Sequence, residues 1–142
     1  MPGGTCRSLA DLAPPARAIV EDARRAVLAT IDAAGRPHAV PVCFAIVAGE
    51  VVTAIDQKPK STTRPARLVN VERAGTATMM FDRWDEDWTR LGWVMVRGRA
   101  RVEPPGTAPD ELVDRYSQYR ESRPAGNVIV VTPDDIVWWT YE

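Results

Sequence analysis

The stretch "AVLATIDAAGRPHAVPVCFAIVAGEVVTAI", Ala26 to Ile55, decides the fold class. "AVLATI" reads as a strand, and "DAAGRP" as a turn in which Gly35 supplies the left-handed position. In "HAVPVCFAIV", Val40, Val42, Phe44 and Ile46 alternate onto one face, with Pro41 and Cys43 on the other. Pro41 cannot donate to a ladder and so argues for an edge position or a bulge. "AGE" then turns the chain into "VVTAI". Three strands joined by short turns predict an antiparallel meander, because parallel pairs need long crossovers.

Working outward, Leu12 to Arg25 predicts a helix with Pro14 and Pro15 in its first turn and Ile19, Val20 and Ala23 as its apolar stripe. Residues 1–11 are expected to be loose. Downstream, Asp56–Thr63 reads as a loop and Arg64–Arg73 as a short helix, with Thr63 as N-cap and Pro65 in the first turn. "GTATMMF" (Gly75 to Phe81) is a further strand, and "DRWDEDWTRL" a partly helical excursion. "GWVMVRGRARVE" (Gly92 to Glu103) is the longest strand. It puts Val94, Val96, Ala100 and Val102 on one face and Trp93, Met95, Arg97, Arg99 and Arg101 on the other. Asp110 to Arg120 predicts one amphipathic helix with Leu112, Val113, Tyr116 and Tyr119 on its apolar side. "NVIVVTP" and "DIVWWTY" predict two final strands. Six or seven mostly antiparallel strands with a few helices make a mainly β domain, a closed or split β-barrel with flanking helices. No linker marks a second domain, so residues 1–142 are expected to form one.

The 142 residues carry a net charge of −1, so general attraction to nucleic acid or an anionic membrane is not expected. No apolar run reaches the roughly 20 residues that span a bilayer, and a cytoplasmic location is expected. Cys6 and Cys43 stand far apart in unlike contexts, and no disulfide is expected in a reducing compartment. His38 is the only histidine, so no Ser-His-Asp or Cys-His arrangement can be assembled. No side chain is assigned as catalytic, and no metal-ligand spacing occurs. An enzyme with so few chemical side chains needs a cofactor.

One short connection breaks the even distribution of charge. "DQKPKSTTRPARLVN" (Asp56 to Asn70) gathers Lys58, Lys60, Arg64 and Arg67 around Ser61, Thr62 and Thr63. Lysine and arginine bind phosphate as point charge and as two-pronged donor, and hydroxyls and a helix start add neutral donors. The same composition also suits a solvated loop before a capped helix, and both readings stay open on composition. On the long strand, Arg101 reads as solvent-facing, while Trp93 and Arg97 suit an interface or ligand contact. "DRWDEDW" reads as a solvated turn anchored by Trp84 and Trp88.

The run from Ala26 to Ile55, the basic loop and "RLVNVERAGTATMMFD" together resemble the pyridoxamine 5'-phosphate oxidase-like split-barrel family. "DEDW" followed by "WVMVRGRA" is similar to its probable F420-dependent branch. The resemblance implies an FMN-binding-like split barrel, assembled as a homodimer, with a flavin or deazaflavin in a groove between subunits. It implies coenzyme F420 as cofactor, FMN as the alternative, and hydride transfer to a small organic substrate. A protein that binds or carries the cofactor without turnover is a further alternative. The resemblance places Lys60, Ser61, Thr62, Thr63 and Arg67 on the phosphate, with Lys58 and Arg64 outside them. It places Pro41, Val42 and Cys43 on the ring, and Trp93 and Arg97 as contacts from the partner subunit.

Overall fold

In chain order the elements are β1 (Gly3–Cys6), a 3-10 turn (Leu9–Asp11), α1 (Pro14–Asp22), β2 (Ala26–Ile31), β3 (Pro37–Val42), β4 (Ala45–Val47) and β5 (Glu50–Ala54). Then follow α2 (Ala66–Ala74), β6 (Thr76–Arg83), a 3-10 turn (Trp88–Arg90), β7 (Gly92–Glu103), α3 (Asp110–Arg115), α4 (Ser117–Glu121) and β8 (Val128–Thr140). The computed structural model describes residues 3–56 and 64–141. Every strand pair is antiparallel, in one sheet of order β3-β2-β6-β7-β8-β5-β4, with β1 added on β8.

The expected meander is corrected at its middle strand. That strand divides at Cys43–Phe44 into β3 and β4, which lie at opposite ends of the sheet order. Two residues of chain join those ends, so the sheet must curl until they approach: this is a split β-barrel. Pro41 does lie on an end strand, where its missing N–H costs no ladder bond. The break also changes which side chains face inward. Phe44 and Ala45 are both buried, and Ile46, expected inside, is exposed.

The interior holds Leu28, Phe44, Met79, Phe81, Val94, Val96, Ile129 and Ile136, with Phe44 and Phe81 edge to face at 4.8 Å. α1 closes it with Ala16, Ile19 and Val20, and α2 with Leu68 and Val71. A second cluster packs Leu112 and Val113 of α3 onto Ala45, Val52, Val128 and Val130. Covered on both faces, β5 and the first part of β8 read as continuous apolar runs rather than alternating ones.

The two expected final strands are one. β8 pairs with β7 along its length, and a bulge near Pro133 shifts the register between Arg97↔Asp135 and Gly98↔Pro133. The bulge accommodates a residue that cannot donate. A Cβ on Gly98 would lie 1.9 Å from the Thr132 carbonyl oxygen, so glycine is required there. The N-terminal residues expected to be loose form β1, which pairs Gly3–Cys6 with Trp139–Ile136.

The helices are shorter than the sequence suggests. α1 begins at Pro14, and α2 follows Pro65; Thr63, its expected cap, lies outside the described residues. α2 ends on Gly75 at φ 69°. The expected Asp110–Arg120 helix breaks at Tyr116 (φ −127°, ψ 129°) into α3 and α4. The Tyr116 hydroxyl accepts the Phe44 N–H at 3.0 Å and lies 3.1 Å from the Phe44 carbonyl and 3.0 Å from that of Arg24. The tyrosine therefore tethers the β3–β4 break. Among the described residues, no helix is long and apolar enough to cross a membrane, and Cys6 and Cys43 are free thiols.

Candidate functional site

The break between β3 and β4 opens a cleft of about 220 Å³. Pro41, Val42 and Cys43 form one wall, and Thr53, Ala54 and Asp56, from the end of β5, form another. Arg67 reaches it from the first turn of α2 and Tyr119 from α4. A neighbouring hollow of about 250 Å³ shares Asp56 and Tyr119 and extends along α4 to Gln118, Glu121 and Ser122. Four residues expected to share a site, Pro41, Val42, Cys43 and Arg67, therefore meet although they come from two separated segments.

Arg67 is half-buried, not exposed as the sequence suggests. Its Nε is buried without a hydrogen-bond partner among the described residues. Burial pushes the guanidinium below its usual pKa, and the nearby Tyr119 phenol acts in the opposite direction. A partly desolvated cation with an open donor is the arrangement an anion would complete. Tyr119 is also half-buried. Burial first, then the neighbouring Cys43 thiol and the Asp56 carboxylate, hold its phenol protonated well above the usual tyrosine range. The cleft thus offers one cation, the Asp56 carboxyl and one neutral phenol beside a mostly apolar wall.

The other expected residues lie elsewhere. Lys58, Lys60, Ser61, Thr62 and Thr63 fall outside the described residues; the chain enters that segment at Asp56 on the cleft and leaves it at Arg64. Arg64 does not line the cleft. Its guanidinium holds Glu72 with two bonds of 2.6 and 3.0 Å on the surface. Arg97 is likewise engaged, gripping Asp135 across the β7–β8 ladder at 3.1 and 2.5 Å. Its neighbours follow the same rule: Arg99 pairs with Asp134, and Arg101 with Glu50 and Glu103. Like charges two apart on one strand face repel, and here acids of the neighbouring strand β8 (Asp134, Asp135), of β5 (Glu50) and of β7 itself (Glu103) offset that repulsion.

Trp93 is half-buried on the outer face of the sheet, opposite Trp139. The next cross-strand row runs Pro41–Val27–Met80–Met95–Val137. This outer face is apolar over five strands and ends at the cleft residue Pro41. The tryptophans of "DRWDEDW" do not anchor their turn: Trp84 is 67% exposed and Trp88 62%. His38 is half-buried, with its Nδ1 buried and without a partner among the described residues.

Sequence reasoning missed Thr53, Ala54, Asp56 and Tyr119. Tyr119 carried a signal, as part of an apolar helix face, but nothing local says that this face meets Cys43. Asp56 opens the basic stretch, but an acid by itself gives no signal for an anion site.

The sequence model of the family described as pyridoxamine 5'-phosphate oxidase matches residues 12–139. The match is to the family as a whole and not to one of its branches. No curated protein matches the chain. Among solved structures, a conserved hypothetical protein from Mycobacterium tuberculosis is similar at TM-score 0.66 and 20% identity, over 88% of this chain and 82% of that one. A candidate 5-nitroimidazole antibiotic resistance protein from Bacteroides thetaiotaomicron gives 0.69 at 13% identity, over 97% and 88%. A heme binding protein from Mycobacterium smegmatis gives 0.70 at 19% identity, over 89% of this chain and 55% of that one. At these identities the likeness establishes the shared fold.

Proposed function

The chain belongs to the pyridoxamine 5'-phosphate oxidase family, and from that premise we propose that it is an oxidoreductase using coenzyme F420, with FMN as the alternative cofactor. One observation carries the reading: the half-buried Arg67, whose Nε has no partner among the described residues, lines the same cleft as Pro41, Val42 and Cys43. Both cofactors bear a phosphate that suits such a cation and a planar ring that suits such a wall. When bound, the deazaflavin or flavin supplies hydride transfer, the chemistry that these side chains lack.

The chain's own residues bind and orient. Arg67 holds the phosphate, joined by Lys60, Ser61, Thr62 and Thr63 of the connecting segment, with Lys58 outside them. Arg64 is withdrawn from this set because Glu72 already satisfies it. Val42 and Cys43 pack against the ring. The protonated Tyr119 phenol donates a hydrogen bond into the cleft. The substrate is a small organic molecule lying over the open ring face. The apolar outer row from Pro41 to Val137 supports a homodimer in which Trp93 is covered by the second subunit, while Arg97 stays with Asp135. A cytoplasmic location goes with this reading.

A second reading is a protein that carries its cofactor without turnover. The scarcity of proton-moving groups in the cleft favours it: among its described lining residues only Cys43, Asp56, Arg67 and Tyr119 ionise. Titration of purified protein with F420, FMN, FAD and haem, followed by tryptophan fluorescence, separates the cases. F420 should bind most tightly, and turnover of reducible acceptors should follow. Binding without turnover selects the carrier. If no cofactor binds below about 100 μM, roughly 5 kcal/mol, the cofactor reading falls.

A further inference from the structure

The turn between β6 and β7 has no part in the cleft described above, yet it is firmly built. Asp85 Oδ1 accepts the Asp87 N–H at 2.8 Å, and Asp87 Oδ1 accepts the Thr89 N–H at 3.1 Å and its hydroxyl at 2.6 Å. Asp85 pairs with Arg90 at 3.0 Å, and the Arg90 carbonyl accepts Arg83 Nε–H at 2.7 Å. Backbone and acids fix this turn without help from its tryptophans. Trp84 therefore stands bare at a cost in hydration without contributing to the core, which calls for another use of its ring.

Trp84 forms a wall of a cleft of about 400 Å³ between the end of α1 and the end of β6. Ile19 and Ala23 supply the apolar floor. Three arginines, Arg24, Arg25 and Arg83, face two acids, Asp22 and Asp82, leaving one positive charge in excess. The Arg24 guanidinium lies over the Tyr116 ring and donates to the Arg115 carbonyl at 2.6 Å, and among the described residues it pairs with no carboxylate. Arg25 has no ion pair or hydrogen bond among the described residues. Arg83 gives its Nε–H to the Arg90 carbonyl, and its one ion pair among the described residues is with Asp22, at 4.0 Å. Bare indole, apolar floor and uncompensated guanidinium groups are the elements that recognise a flat ring carrying a negative charge.

We propose that this cleft is a second binding site, for a planar aromatic carboxylate, with the ring against Trp84 and the carboxylate toward Arg25 and Arg83. It shares no lining residue with the cleft of Arg67 and does not depend on the cofactor reading.

The test is calorimetric titration of the full chain with 2-naphthoate and with the neutral 2-naphthamide. The carboxylate should bind about ten-fold more tightly than the amide, and Trp84→Ala and Arg25→Glu should each weaken it about ten-fold. Both substitutions are at exposed positions, so the fold should persist, as circular dichroism would show. Arg67→Met should leave naphthoate binding unchanged. Absence of binding, equal affinity for acid and amide, indifference to both Trp84→Ala and Arg25→Glu, or loss in Arg67→Met would each overturn the proposal.

Discussion

Replacing Arg67 by Met separates two effects that ordinarily run together. Arg67 is half-buried, its Nε lacks a partner among the described residues, and burial already pulls its pKa down. In the protein without ligand, its charge is therefore tolerated rather than used. Methionine keeps most of the apolar stem and removes the desolvated charge. Stability to urea should stay level or rise, by at most about 1 kcal/mol. Ligand binding should move the other way. Charge-assisted hydrogen bonds are worth about 1.5–3 kcal/mol each, so affinity for F420 or FMN should fall about ten- to hundred-fold. Arg64→Ala is the control, because it removes only an exposed pair worth about 0–1 kcal/mol. It should leave cofactor affinity unchanged. Urea melts of the free protein and calorimetric titration of the same preparations read both quantities. A variant that loses stability while retaining full cofactor affinity would refute the reasoning, since Arg67 would then be a structural residue.

Four further outcomes test the fold and assembly. Met95→Lys places a charge in the middle of the apolar outer row and should shift the chain from dimer to monomer in sedimentation; an unchanged mass would remove that face from the interface. Tyr116→Phe deletes the hydroxyl that accepts the Phe44 N–H at 3.0 Å and should cost about 1–3 kcal/mol in a urea melt. Gly98→Ala pushes a methyl against the Thr132 carbonyl at 1.9 Å and should cost at least about 2 kcal/mol in the same melt, or prevent folding. Arg101 first, then Thr132, hold the Glu50 carboxyl below its ordinary value. Its contribution should be full above about pH 4.3 and lost as pH falls through the lower folded value, so Glu50→Gln should flatten the acid limb of a stability–pH curve.

Two strands could be read from the chain with their ends, Ala26–Ile31 and Gly92–Glu103. Both alternate between one wet and one dry face, a pattern that depends only on local backbone geometry. Pro41 pointed to an edge position or a bulge and lies on an end strand, and the outward arginines of β7 are where their period puts them. The strand around Cys43 and the C-terminal strand were misread for a common reason. A break and a bulge leave the hydrophobic pattern almost untouched but redirect the chain, and the signal for either lies in its distant partners: Tyr116 for one, Gly98 for the other.

The site divides in the same way. Amino-acid types alone located a cluster of cations and hydroxyls between the third predicted strand and a short helix, because phosphate chemistry demands those groups. They could not say which cations were already spent. Arg64 and Arg97 look as available as Arg67 in one dimension, and only the positions of Glu72 and Asp135 remove them. Nor could composition place Tyr119 beside Cys43, 76 positions earlier in the chain. By itself, the sequence determined a mainly β chain with a local anion-binding composition, since patterning and residue chemistry are local properties. The tertiary structure alone decided where the sheet breaks, which arginine keeps an open donor and what lines the cleft, since charge compensation and desolvation arise only when distant segments pack.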